Sequence, residues 1–282
     1  MVVPFKTMMV GALLASLMTM TATAQAQDAP PPGSKYVALG SSFASGPGVT
    51  VSADNPPNRC ARSKDNYPRQ LSRKRGLILT DVSCSGATTA HILGPWAELP
   101  PQIEAVDAST RLVTITIGGN DAHYSGGLIA MGCHSWSKTT GQAADCGDIP
   151  PPPTEKDWRD LESHMRQIVS AVHARAPHAR VVLVDYIRVL PPEGTCAAIS
   201  LTAEQADIGR AIDHRVVEIT RRVAEDGGAE LLAASRITAE HHACAIDPWV
   251  NGFPPLGNGA PFHPRLAAHT AVAEALDKLI WK

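Results

Sequence analysis

The sequence predicts a doubly wound, three-layer α/β/α sandwich with a mainly parallel sheet. Two observations carry that expectation. Short continuous runs of β-branched and aliphatic residues recur along the chain, as strands covered on both faces require. Between the later runs lie amphipathic stretches with helix-start and helix-stop residues, giving the βαβ alternation of an α/β domain. No internal repeat or second domain is evident in the 282 residues.

The chain opens with Met-Val-Val-Pro-Phe-Lys6, then an apolar run over residues 8–18, then Thr21-Ala22-Thr23-Ala24-Gln25-Ala26. This is the pattern of a secretory signal peptide, with cleavage expected near Ala26 and residues 1–26 removed. The apolar run is well short of the roughly 20 residues that cross a bilayer, so no stable membrane anchor is expected. Residues 27–34 contain Pro30-Pro31-Pro32-Gly33 and read as a flexible lead-in. Residues 35–282 form one domain of ordinary size, expected to be monomeric.

The strands follow as Tyr36-Val37-Ala38-Leu39, Leu77-Ile78-Leu79, the run 112–117, Val181-Val182-Leu183-Val184 and Leu231-Leu232-Ala233. The segment 125–153 is long, carries two cysteines and is rich in glycine and proline; it reads as a stapled excursion or lid. Thr154 with Asp157 starts a helix whose apolar face is Trp158, Leu161, Met165, Ile168, Val169 and Val172, ending by Pro177. Thr202 with Gln205 starts another, carried by Ile208, Ile212, Val216, Ile219 and Val223 and stopped at Gly227-Gly228. A last helix follows Pro264, with Leu266, Val272, Leu276 and Leu279 facing inward.

The formal net charge of −2 gives no sign of a nucleic-acid partner. Arg59, Arg62, Lys64, Arg69, Arg73, Lys74 and Arg75 cluster in sequence, and a solvated helix face is the favoured reading over an anionic-ligand site. All six cysteines lie in the exported part, where an oxidising compartment lets them pair. Many pairings are possible; chain order gives Cys60 with Cys84, Cys133 with Cys146 and Cys196 with Cys244. A zinc site is the rival, but no Cys-x-x-Cys spacing is present. The His241-His242 pair lacks a third ligand at suitable spacing, so neither metal nor cofactor is expected.

Ligands in such sheets bind beyond the carboxyl ends of the strands. There the chain places Gly40-Ser41-Ser42-Phe43, Ser83-Cys84-Ser85-Gly86-Ala87-Thr88 and Ile117-Gly118-Gly119-Asn120-Asp121, with Phe262-His263-Pro264 before the last helix. In these four segments, and in their order, the chain resembles the SGNH (GDSL-type) hydrolases. Its surroundings, including Asn66-Tyr67-Pro68 and Pro248-Trp249-Val250-Asn251-Gly252, look like those of the secreted bacterial lipases and esterases.

The resemblance implies the SGNH hydrolase fold, three disulfides in support of the chain-order pairing, and a small-molecule or lipid ester as substrate. It assigns Ser42 as nucleophile, His263 as general base, and an oxyanion hole of the Ser42 N–H, the Gly86 N–H and the Asn120 side-chain amide. Two departures stand out. Ser41 occupies the place of the usual aspartate before the nucleophile, which makes Ser41 the alternative nucleophile; alignment on Gly40 favours Ser42, with Ser41 supporting the loop through hydrogen bonds. Ala260 stands where most relatives carry the aspartate that orients the histidine, so the Ala260 carbonyl is expected to accept from His263 Nδ1. Asp247 is the alternative, as a remote carboxylate completing a triad. Of the remaining histidines, His91, His123 and His134 could line the cleft, with His123 the best placed. Trp96, Trp136 and Trp249 could wall an acyl or alcohol pocket. The expected reaction is carboxylic ester hydrolysis through an acyl-enzyme; the alternatives are O-deacetylation of glycans and a secreted binding protein that has lost catalysis.

Overall fold

The computed structural model describes residues 1–3 and 28–282; the expected signal peptide and its cleavage site lie almost wholly outside the described residues. Strands β1 (Lys35–Gly40), β2 (Ile78–Asp81), β3 (Thr110–Thr116), β4 (Arg180–Val184) and β5 (Glu230–Leu232) form one parallel sheet in the order β2-β1-β3-β4-β5. The chain builds outward from β1 to β2, then returns across β1 to lay down β3. The strand order therefore reverses between β1 and β3, and the crevice beyond their carboxyl ends is where such a sheet binds ligands. Their register pairs Leu39 with Ile115 and Gly40 with Thr116, so the loops that follow start side by side.

Eight α-helices flank or edge the sheet among the described residues. They are α1 (Ser42–Ser45), α2 (Tyr67–Arg75), α3 (Thr89–Leu93), α4 (Tyr124–Thr140), α5 (Glu155–Arg175), α6 (Ala203–Gly227), α7 (Ala234–Ile237) and α8 (Leu266–Ile280). The two best-marked helices begin where their residues dictate. Thr154 and Asp157 form a reciprocal capping box on α5, as Thr202 and Gln205 do on α6, each worth about 1 kcal/mol. Every apolar position expected on α5 is buried. On α8 the buried stripe is Ala268, His269, Val272, Ala273, Leu276 and Ile280. Leu266, expected to face inward, is 45% exposed at the first position of the helix.

The segment 125–153 departs from its expected reading. Its first half is α4, which buries Tyr124, Leu128 and Met131, and only residues 141–153 are irregular. Glycine is what lets this helix pack. A Cβ on Gly132 would lie 3.1 Å from the Phe253 and Phe262 side chains, and one on Gly209 of α6 would lie 2.7 Å from Leu128.

The disulfides are Cys60–Cys84, Cys133–Cys146 and Cys196–Cys244, the chain-order pairing; each contributes about 2–4 kcal/mol by restricting the unfolded chain. Six of the seven clustered basic residues are engaged locally. Arg59 pairs with Glu98, Arg62 with Asp54, Arg69 with Asp81 and Arg73 with Asp65, while Lys74 and Arg75 both reach Asp277 of α8.

Candidate active site

β1 delivers Ser42 into the crevice through a tight exit. Gly40 has φ 144°, and a Cβ there would fall 2.5 Å from the Thr116 carbonyl, so the chain can leave the sheet this closely only as glycine. The Ser41 N–H donates to that same carbonyl at 2.9 Å. The Gln102 side chain clamps Gly40 from the other side, accepting from its N–H at 2.8 Å and donating to its C=O at 3.0 Å. Ser42 then opens α1, so its N–H is a first-turn donor that a helix leaves without an internal partner.

His263 meets Ser42 from the far end of the chain. The Ser42 hydroxyl donates to His263 Nε2 at 2.7 Å. On the other side of the ring, Nδ1 lies 2.7 Å from the Pro261 carbonyl. A carbonyl only accepts, so Nδ1 carries the proton and the Nε2 lone pair faces the serine. Burial pushes the imidazole pKa below its usual value, against a smaller upward pull from the Pro261 carbonyl. The neutral ring needed to accept a proton is thus the form the site favours.

The carbonyl at Nδ1 is therefore not that of Ala260, as the sequence suggested. Phe262 adopts a left-handed backbone, φ 53°, with its ring fully buried. This turn brings the Pro261 C=O back to the ring two residues on. The Ala260 carbonyl faces away and accepts from Asn251 Nδ2 at 3.3 Å, the same amide that donates to the Asn258 carbonyl at 3.0 Å. Asp247 does not stand in either. Its carboxylate accepts from Trp249 Nε1 at 3.0 Å, lies 3.5 Å from His241 Nδ1, and is largely exposed.

Gly86 and Asn120 are brought together by the loops that carry them. Asn120 Nδ2 donates to the Ala87 carbonyl at 2.9 Å, while the neighbouring Asp121 carboxylate accepts from the Thr89 N–H and hydroxyl at the start of α3. Gly86 has φ 86°, and its N–H makes no hydrogen bond among the described residues. Trp96 stands directly behind it, 3.1 Å from where a Cβ would be.

Tyr186, just after β4, was not singled out by the sequence. Its hydroxyl accepts from the Gly119 N–H at 2.8 Å, lies 3.3 Å from Ser41 Oγ, and its ring packs 4.6 Å from Phe43. It ties the Asn120 loop to the Ser42 loop. Ser41 faces Tyr186 and the Thr116 carbonyl, not His263. His91 accepts from the Thr88 N–H and stacks on Trp96, whereas His123 precedes α4 in a left-handed conformation. His134 lies at the Gly147 carbonyl, Trp136 packs on Phe253 and Trp249 on His241, so Trp96 is the tryptophan that reaches the Gly86 loop.

A buried serine hydrogen-bonded to a buried histidine thus lies at the switch point of a parallel α/β sheet, where such folds bind their ligands. Comparison with known proteins gives the family. The model of the GDSL-like lipase/acylhydrolase family matches residues 38–271, and the chain belongs to it. It is 32% identical to lipase 2 of Streptomyces coelicolor, over 95% of each chain. Its structure resembles that of phospholipase A1 from Streptomyces albidoflavus, with a TM-score of 0.67 and 25% identity, over 87% of this chain and 99% of the other. The extracellular lipase of Streptomyces rimosus matches with the same score at 26% identity and the same coverage. The chain is a lipase or esterase of this family.

Proposed function

We propose that the protein is a secreted hydrolase of carboxylic acyl esters, lipid esters among them, acting through an acyl-enzyme on Ser42. The observation that carries this is the pair of 2.7 Å contacts on either side of the His263 ring. In the first half-reaction Ser42 Oγ bonds to the ester carbonyl carbon while its proton passes to His263 Nε2. The carbonyl oxygen becomes an oxyanion, for which the Ser42 N–H, the Gly86 N–H and the second hydrogen of the Asn120 amide are the available donors. The C–O bond to the alcohol then breaks, and the imidazolium returns the proton to the departing oxygen. In the second half-reaction water gives a proton to the same imidazole and attacks the acyl-enzyme, releasing the acid and restoring Ser42.

The intact Ser42–His263 hydrogen bond favours catalysis over a binding role. The three disulfides and the leader-like N-terminus support export. Among the described residues no helix is long and apolar enough to cross a membrane.

Fluorophosphonate labelling followed by peptide mapping tests the reading. The phosphonyl group is expected on Ser42, and Ser42→Ala is expected to lose labelling together with about 10³-fold or more of kcat. Ser41→Ala should still label. Label retained in Ser42→Ala would overturn the assignment.

A further inference from the structure

Resting on the esterase reading, we infer that Gln102 is a positioning residue for the reaction. Its carboxamide holds the main chain that aims Ser42 at His263, and the place requires a carboxamide.

β1 outruns its neighbour. The pairing of β1 with β2 ends at Ala38 and Asp81, so Leu39 and Gly40, which lead to the nucleophile, continue past the end of β2. Gly40 is buried there, and buried main-chain N–H and C=O groups need partners. Gln102 serves both: Oε1 accepts from the Gly40 N–H at 2.8 Å, and Nε2 donates to the Gly40 carbonyl at 3.0 Å. The side chain does for Gly40 what a peptide group of a longer β2 would do.

The rest of the exit is held by main chain. The Cys84 N–H donates to the Gly40 carbonyl at 3.0 Å, and the Ser41 N–H donates to the Thr116 carbonyl at 2.9 Å. The Ser41 carbonyl accepts from the N–H groups of Ala44 and Ser45 at 3.0 and 2.9 Å. Among the described residues, Gln102 is therefore the only side chain that grips the polar main chain of Gly40 and Ser41. The next donor along is the Ser42 N–H, which the proposed reaction gives to the oxyanion.

Gln102 is itself fixed. It is buried and opens a single 3₁₀ turn, Gln102–Ala105, directly after Pro100 and Pro101, with Ile103 and Val106 in the core. The Glu104 N–H closes that turn on the Pro101 carbonyl at 3.1 Å. The amide has one useful orientation, because a main-chain N–H only donates and a carbonyl only accepts. Methionine, of similar length, makes neither bond. An ionised glutamate keeps the first and sets a negative oxygen against the glycine carbonyl, whereas a protonated glutamate makes both.

The test measures kcat and KM for p-nitrophenyl butyrate, and the rate constant of fluorophosphonate labelling at Ser42, in wild type, Gln102→Met and Gln102→Glu. Circular dichroism reports folding. Gln102→Met is expected to lower kcat and the labelling rate constant by about tenfold or more, with KM within about twofold, because a misaimed nucleophile impairs reaction and not substrate binding. Gln102→Glu is expected to behave likewise at pH 8.5. Its kcat relative to wild type should rise by about fivefold or more at pH 6, as the buried carboxyl gains its proton and restores the second bond. Arg62, His91 and Glu104, the ionisable groups on the cavity wall that Gln102 lines, are common to both proteins and cancel in that ratio. A glutamine that served stability alone would not give this pH-dependent kcat. Folded Gln102→Met with kcat and labelling within about twofold of wild type, or a glutamate variant whose relative kcat does not rise toward pH 6, overturns the assignment and leaves the esterase reading standing. The glutamate variant decides alone if the methionine variant does not fold. A wild type that neither labels nor cleaves the ester sinks the esterase reading itself.

Discussion

Ser42 and His263 lie 221 positions apart in sequence and share a hydrogen bond. Under the proposed mechanism the imidazole must be neutral to accept the serine proton, and burial lowers its pKa. Activity should therefore hold through neutral pH and fall only as the ring protonates at acid pH. A profile of kcat/KM against pH should show an acid limb with an apparent pKa below 6.5; an inflection above 7 would contradict the assignment. Tyr186→Phe removes the acceptor for the Gly119 N–H and keeps the ring. It is expected to lower kcat by about tenfold with little change in KM, because it loosens the loop that carries Asn120, and to cost about 1–3 kcal/mol in urea unfolding from the orphaned N–H. The Ser42–His263 contact was expected from the family resemblance, which rested on small polar residues at strand ends and on a histidine before the last helix. The partner of His263 Nδ1 was not, since the decisive variable is the positive φ of Phe262 and nothing local in the sequence announces it. Tyr186 was missed for a related reason: its role comes from β3 and β4 lying side by side, which spacing along the chain does not encode.

At the scale of elements, α5 and α6 announced themselves through capping boxes and clean apolar stripes. α4 did not, because glycines and polar residues dilute its stripe and mimic a loop. The same glycines connect this helix to the chemistry. Phe262 lies against Gly132 of α4, so the helix supports the turn that aims Pro261 at His263. Gly132→Val should press on Phe253 and Phe262 and displace that turn. The expected result is a loss of kcat of about tenfold or more in a protein that still melts cooperatively by circular dichroism. Unchanged kcat would show that the turn does not depend on α4.

For the molecule as a whole, the buried histidine of α8 links stability to pH. His269 accepts from the Tyr67 N–H and is fully buried, and desolvation pushes its pKa down to about 3. An unfolded chain binds the proton near pH 6.5. The folded state therefore binds fewer protons between these values, and the contribution present above pH 6.5 is lost as pH falls, by up to about 1.4 kcal/mol per pH unit. Burial of Asp213 and Asp185 acts in the opposite sense. Their folded pKa values rise to about 7 and about 6, so the folded state resists their ionisation and loses stability as pH rises through the acid range. The informative measurement is the difference in urea stability between wild type and His269→Asn at several pH values. That difference should shrink steadily from pH 6.5 to pH 4; a constant difference would mean that His269 is not held neutral.

The Pro261 carbonyl has a consequence for how this protein tolerates mutation. An orienting aspartate can be deleted by one nucleotide change, whereas every amino acid supplies a main-chain oxygen. The histidine's partner here is thus beyond the reach of missense substitution in its own codon except through the shape of the turn. The vulnerable positions move outward, to Phe262, whose backbone makes the turn, and to Asn251, whose amide holds the preceding loop. Hereditary fragility that a side-chain triad concentrates in one acidic residue is spread in this chain across the residues that shape a bend.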